Sequence, residues 1–390
     1  MPRPEEVAAN NGIFTLTMCA AQVPSLPTLE TLLSKRPLLI SGPCSAETPD
    51  QVLQTALRLK ATGKVDMLRA GIWKPRTKPG LFEGVGKKGL PWLQEARSQT
   101  GLPVMVEVAT AKQVEEALAH QIDALWIGAR TTVNPFSVQE IADALSGVTI
   151  PIFIKNPINP DLELWAGAVE RVERAGIKQI GLIHRGFSTF GQTPYRNAPL
   201  WHLAIEMKLR FPKLLFINDP SHICGRRDLL AEVMQRAIDL DMDGLMVESH
   251  SQPDQAWSDA AQQVSPEALS VLLEKLVWRN DDSQSIDYHS ALDQLRQQIN
   301  QLDEEVLQLL GRRMQVAEQI AHYKKENNIT ILQAGRWQEI MQRTLARAEE
   351  LKLGREFITQ YLDALHMESI NHQQKILDRK SSDTDFATAR

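Results

Sequence analysis

Cysteine is scarce in this chain: Cys19, Cys44 and Cys224 are the only three in 390 residues. An odd, widely spaced set builds no disulfide framework, which points to a reducing cytoplasm and leaves a thiolate available as a metal ligand. No apolar run reaches the ~20 residues that a membrane-spanning helix needs, so no membrane is expected as a partner. An excess of positive charge is also missing. A formal net charge of −5 provides no basic field for nucleic acid, and any local group of cations then needs a small anionic ligand. The short apolar patch 13–21 follows Glu5 and Glu6 instead of a basic region, which argues against a secretory signal. Length, by contrast, is ample, and suggests two domains, one of them a large barrel.

The most concentrated chemistry lies in residues 69–80, where Arg69, Lys74, Arg76 and Lys78 crowd a Pro/Gly-rich loop together with the Thr77 hydroxyl. A solvated basic loop would need no explanation, but Arg forks and Lys point charges at this density suit a multiply anionic ligand. The loop belongs to a longer pattern. Residues 38–275 repeat one unit eight times: a short apolar run, a polar or glycine-bearing turn, then helical periodicity. Strands are expected at 38–45, 66–73, 103–110, 124–130, 151–157, 179–186, 214–222 and 244–251. Eight such alternations predict parallel strands with right-handed crossovers closing into an α/β fold, the (β/α)8 TIM barrel, in preference to an open doubly wound sheet.

The reactive residues cluster at the carboxyl ends of these runs, which a barrel gathers on one face. They sort into two sets. Cys44, His222, Glu248 and Asp259 offer one sulfur, one nitrogen and two carboxylate donors, suited to a divalent transition metal and unlike an all-oxygen magnesium cage. Arg69, Lys74, Arg130, Lys155 and Arg185 are cationic, with nothing nearby in sequence to neutralise them. They suit a compact ligand bearing both phosphate and carboxylate.

The motifs Gly42-Pro43-Cys44-Ser45-Ala46-Glu47, Lys74-Pro75-Arg76-Thr77, Ile127-Gly128-Ala129-Arg130-Thr131, Ile183-His184-Arg185-Gly186 and Asp219-Pro220-Ser221-His222 resemble those of type Iβ 3-deoxy-D-arabino-heptulosonate-7-phosphate (DAHP) synthases, over roughly residues 30–275. The resemblance implies a metal site of Cys44, His222, Glu248 and Asp259 for Mn, Co, Fe or Zn. It implies phosphoenolpyruvate held by Arg69, Lys74, Arg130, Lys155 and Arg185, and the phosphate end of erythrose 4-phosphate held by Arg76 and Thr77. Lys74 is expected to reach both the enolpyruvate and a water, and to carry a proton. The related octulosonate-phosphate synthases use the same donor, but Lys-Pro-Arg-Thr favours the erythrose enzyme. The stretch of about 35 residues before the first strand is too short for the additional regulatory domain that often precedes the barrel in this group.

After a barrel domain expected over 1–277, the composition turns polar, and 278–289 reads as a linker. Beyond it, Leu292, Leu295, Ile299, Leu302, Val306 and Leu309 fall on heptad a and d positions, continued by Val316, Ile320 and Tyr323. One helix of about 35 to 40 residues is predicted, too long to bury its own seam, and pattern alone favours a dimerising coiled coil. Arg313 opposes that reading, because it occupies an a position where an unpaired charge is costly. Lys324 lies only about 20° from it round the helix, so the two form an interior cationic stripe. Two more helical segments follow at 333–351 and 355–377.

Residues 286–375 are similar to the all-helical chorismate mutases. The resemblance implies chorismate contacts from Arg296, Arg313, Lys324, Arg336, Ser369 and Gln373, with Arg313, Lys324 and Gln373 at the reacting centre. Gln333 and Trp337 depart from the family, which has Asp and Glu there to hold the ring hydroxyl. The helical domain is expected over 290–377 and a disordered tail over 378–390. Together these features predict a cytoplasmic bifunctional enzyme of the shikimate pathway, at least a homodimer, regulated by prephenate or chorismate through its helical domain. The rival expectation is a lone barrel synthase whose tail serves only dimerisation and effector binding.

Overall fold

The computed structural model describes residues 37–76, 79–191, 193–279 and 285–378 of the chain. It divides into one unit ending at Asp281 and a second beginning at Asp282. In the first, eight parallel strands run in chain order round a closed barrel. They are β1 (Leu38–Gly42), β2 (Met67–Arg69), β3 (Val104–Val108), β4 (Ala124–Ile127), β5 (Ile152–Lys155), β6 (Ile180–His184), β7 (Leu215–Asn218) and β8 (Gly244–Glu248). Closure is made by β1 on β8, with Leu38 opposite Gly244 and Gly42 opposite Glu248.

The alternation of a strand explains how one sequence serves two cores. Leu38, Ile40, Met67, Met105, Trp126, Phe153, Ile183, Ile217 and Met246 point inward and fill the barrel. Their neighbours Leu39, Leu68, Val106, Leu125, Ile154, Leu182 and Val247 face the surrounding helices. Because both faces are covered, these strands lack the polar alternation of a solvated sheet.

The strands are shorter than expected, and their ends define the site. β1 stops at Gly42, whose φ of 149° and the 2.0 Å that would separate an added Cβ from Arg69 O demand glycine. β4 stops at Ile127, so Arg130 lies in the short helix Ala129–Thr132. β7 stops at Asn218, and His222 sits not on the strand but on the helical turn Pro220–Cys224. Asp219 caps that turn by accepting from His222 N at 3.1 Å, and Pro220 supplies its first residue.

Among the described residues the second unit has three helices: α1 (Ile286–Glu326), α2 (Ala334–Glu350) and α3 (Arg355–Asp378). The first is 41 residues long and starts inside the stretch expected to be linker, capped by Ser285. Met314, Ala317 and Ala321 are buried in its carboxyl-terminal half, while Leu295, Ile299, Leu302, Val306 and Leu309 stay exposed, Leu295 at 56%. A small apolar cluster of Ala348, Ile358 and Leu362, with Trp337, Ile340, Met341 and Leu345 against it, joins α2 and α3. No described helix is long and apolar enough to cross a membrane. Of the disordered tail expected over 378–390, Asp378 instead ends α3, and residues 379–390 lie outside the described residues.

Candidate active sites

Trp126, buried in the barrel, is the floor of the first site. The Arg69 guanidinium lies 4.9 Å from its ring centroid and the Lys155 ammonium 5.7 Å away. Both cations are almost fully buried, a placement that requires partners. Sequence showed none nearby, but the fold supplies them from distant strands. Arg69 Nη1 is 3.2 Å from Glu248 Oε1, and Lys155 Nζ donates to Asp219 Oδ2 at 2.7 Å. His222 connects the two pairs, with Nδ1 2.8 Å from Asp219 Oδ2 and Nε2 3.7 Å from Glu248 Oε1. Burial raises the Asp219 carboxyl, but His222 and Lys155 outweigh it and hold the group well below its ordinary value. Glu248 is likewise lowered, since His222, Arg69 and Lys74 overcome the burial.

Above this layer opens a cavity of about 400 Å³, lined among others by Lys74, Arg76, Arg130, Arg185, His222 and Asp259. Burial pushes the Arg185 guanidinium down to about 10, with Asp219 opposing the shift and Arg130 adding to it. Arg130 is lowered chiefly by burial as well. Cations held under such desolvation gain strongly from a multivalent anion. The arrangement is kept rigid from behind: Asn156 Oδ1 accepts from Arg185 N, and Asn156 Nδ2 donates to Gly186 O, both at 2.7 Å. Thr77, expected at this mouth, lies outside the described residues.

The expected metal donors stand as two pairs. Cys44 Sγ is 3.2 Å from Asp259 Oδ2, and His222 Nε2 faces Glu248 Oε1. Among the described residues, no three His, Cys, Asp or Glu side chains gather round one point as a closed cage. The donor chemistry nevertheless fits a divalent transition ion: sulfur, imidazole and two carboxylates converge on one face, and Glu248 Oε1 is buried without a hydrogen bond. Burial pushes the Cys44 thiol up to about 12, with Glu248 adding to the rise and Lys74 opposing it. A bound cation would reverse that balance. The Lys74 ammonium, 2.7 Å from Cys44 Sγ and 3.0 Å from Cys44 O, already places one positive charge beside the sulfur.

Several groups escaped the sequence reading because they do not sit at strand ends. Arg196, in the long segment after β6, reaches Asp259 Oδ1 at 2.9 Å and Gln262 Oε1 at 2.8 Å. Gln262 Nε2 donates to Glu248 Oε2 at 2.6 Å, and Cys44 N donates to Gln263 Oε1 at 2.9 Å. Asp259 itself has the left-handed φ of 49°, uncommon for a residue with a side chain. The 249–265 segment therefore positions donors as much as it connects β8 to the last barrel helix.

In the helical unit, four of the six expected contacts come together. Arg313 on α1 donates to Ser369 Oγ on α3. Lys324 Nζ donates to Gln373 Oε1 at 3.2 Å and to Ile331 O at 2.5 Å. Burial lowers the Lys324 ammonium. Arg336, on α2, pairs with Glu339 at 2.7 Å. Arg296 does not join them: its side chain is 65% exposed, 3.6 Å from Asp293 on its own helix. Gln333 precedes α2 without a side-chain capping bond, and Trp337 packs inward.

Comparison with known proteins agrees with this geometry. Residues 33–285 match the DAHP synthetase I family and residues 295–374 match chorismate mutase type II. The phospho-2-dehydro-3-deoxyheptonate aldolase of Thermotoga maritima is 32% identical over 238 residues, 61% of this chain and 68% of that protein. A 2-dehydro-3-deoxyphosphooctonate aldolase of Desulfotalea psychrophila is 28% identical over 262 residues, 62% of this chain and 88% of that one. The crystal structure of the Thermotoga maritima DAHP synthase superposes with a TM-score of 0.54 at 31% identity, covering 61% of this chain and 68% of its own. The chain thus belongs to the DAHP synthetase I family and carries a chorismate mutase type II domain behind the barrel, joining both enzymes in one polypeptide.

Proposed function

We propose that the barrel condenses phosphoenolpyruvate with erythrose 4-phosphate in a metal-dependent reaction, and that the helical domain rearranges chorismate to prephenate and reports its level to the barrel. The observation that carries the first part is the layer of buried cations over Trp126, open to a cavity whose Arg185 burial has pushed down to about 10. Arg69, Arg130, Lys155 and Arg185 bind the phosphate and carboxylate of the donor, and Arg76 orients the acceptor phosphate. Carbon–carbon bond formation joins the methylene of the enolpyruvate to the aldehyde carbon, water adds to the neighbouring carbon, and phosphate leaves. Lys74 is the proton carrier. A divalent metal held by Cys44, His222, Glu248 and Asp259 would supply Lewis acidity toward the aldehyde. In the helical domain, Arg313, Lys324 and Gln373 select a folded substrate and stabilise its breaking ether; no acid, base or metal is needed.

The exposed apolar seam of α1 and the isolation of Arg296 support a dimer through the helical domain, and the three widely spaced cysteines fit an enzyme working in the cytoplasm. Assay of the purified chain tests the assignment directly: a chelator should abolish condensation and spare the mutase reaction, and equal loss of both would contradict it. Cleavage within 280–285 tests the regulation. The severed barrel should lose its inhibition by prephenate, and a barrel as sensitive as the whole chain refutes the coupling.

A further inference from the structure

Chorismate presents two carboxylates, an ether oxygen and one ring hydroxyl. Arg313, Lys324 and Gln373 answer the carboxylates and the ether with charged or amide donors. The hydroxyl both donates and accepts, and can be met by a carboxylate or by a neutral acceptor held in the site. Neither position where the sequence departs from the mutases supplies one. Gln333 is exposed ahead of α2, and Trp337 carries an indole that donates only.

His366 meets these requirements. It stands on α3 one turn before Ser369, the hydroxyl that accepts from Arg313. Its ring stacks on Trp337, with centroids 4.0 Å apart and planes 16° from parallel, so the imidazole is held against α2. Its Nε2 is buried and has no hydrogen-bond partner among the described residues. Such an atom is destabilising unless a ligand completes it. Burial, with Arg313 reinforcing it and Asp363 opposing, lowers the pKa below the usual histidine value. The ring is then neutral near pH 7, one nitrogen donating and the other accepting.

We propose that His366 Nε2 hydrogen-bonds the ring hydroxyl of chorismate and that the Trp337–His366 stack does here what a carboxylate would otherwise do. His366 is a specificity contact, since the rearrangement moves no proton. The inference rests on Arg313, Lys324, Ser369 and Gln373 forming the mutase site.

The test uses the full chain and two bicyclic dicarboxylate transition-state analogues, one with the hydroxyl and one without. His366→Leu should weaken the hydroxylated analogue and raise KM for chorismate by about tenfold, the worth of one neutral hydrogen bond. The deoxy analogue should change by less than about twofold. His366→Asn, which restores a polar group, should recover part of the loss. Equal weakening of both analogues would make His366 only a prop for Trp337, and no weakening of either would remove it from the site; both overturn the proposal. His366→Phe keeps the stack and carries the same comparison should the Leu variant melt early. Arg313→Ala separates the two levels of inference: if it retains full mutase activity, the site assignment itself has failed, whatever His366 does.

Discussion

The separation of Arg296 from Arg313 makes the two-chain mutase site testable. They are about 17 residues apart on an unbroken helix, hence roughly 25 Å at a rise of 1.5 Å per residue, and some 100° apart round its axis. Extended arginine side chains do not close that gap onto one small ligand. Arg313 is already in the cluster with Ser369, whereas Arg296 is exposed beside the apolar stripe of Leu295, Ile299 and Leu302. An antiparallel copy of α1 would cover the stripe and bring one chain's Arg296 to the other chain's Arg313.

Arg296→Ala and Arg313→Ala each remove a charged hydrogen bond to a carboxylate, worth about 1.5–3 kcal/mol, so each variant alone should lose about 10- to 100-fold in mutase kcat/KM. Mixed and refolded together, half of the dimers are heterodimers, in which one site carries both defects and the other carries neither. Activity should rise to about a quarter of wild type, a value fixed by the two-fold symmetry. Native mass spectrometry verifies subunit exchange, and prephenate formation is followed directly. No recovery despite verified exchange would mean that each site is made within one chain.

Two further predictions concern the barrel. Lys74→Ala and Arg185→Ala should collapse condensation turnover with thermal midpoint and circular dichroism near wild type, because both line the cavity and not the packed interior; a variant that keeps most of its turnover would remove that residue from the site. His184 couples the barrel to pH. Its Nε2 donates to Pro199 O at 2.6 Å and its Nδ1 accepts from Asn218 Nδ2 at 3.0 Å, while burial pushes its pKa down from 6.5 to about 4, the Pro199 bond opposing the shift. The unfolded chain therefore takes the proton first, so this contribution to stability is complete above pH 6.5 and is lost as pH falls toward about 4, up to about 3 kcal/mol. Denaturant unfolding of wild type and His184→Gln between these pH values should show the steeper loss in wild type, and parallel pH slopes would refute the coupling.

How far the sequence could be read follows from which interactions are local. Strand count and barrel closure were legible because each strand carries its own apolar run and each crossover its own helix. The cations were legible because each stands at or just past the carboxyl end of its own strand, Arg69 on β2, Lys155 on β5 and Arg185 after β6, and a barrel gathers those ends on one face. What neutralises them was not. Lys155 finds Asp219 and Arg69 finds Glu248 only once the barrel closes, because no periodicity links residues so far apart. Arg196, Gln262 and Gln263 were missed for a related reason: they lie in irregular segments whose placement depends on Asp259 and Cys44 as partners. In the helical unit the heptad pattern announced α1 and its apolar seam, and the same pattern could not distinguish a seam covered within the chain from one left exposed. The structure puts the two on different faces of one helix: Met314, Ala317 and Ala321 are buried, while the seam stays exposed from Leu295 to Leu309 and on through Val316, Ile320 and Tyr323. Residue size thus records the packing distance, since alanine admits a helix backbone closely and leucine waits for a partner of its own kind. The sequence signal for an incomplete site was therefore the pair of stripes on α1, a buried one bearing Ala317 and Ala321 beside a seam of large apolar residues that remains exposed.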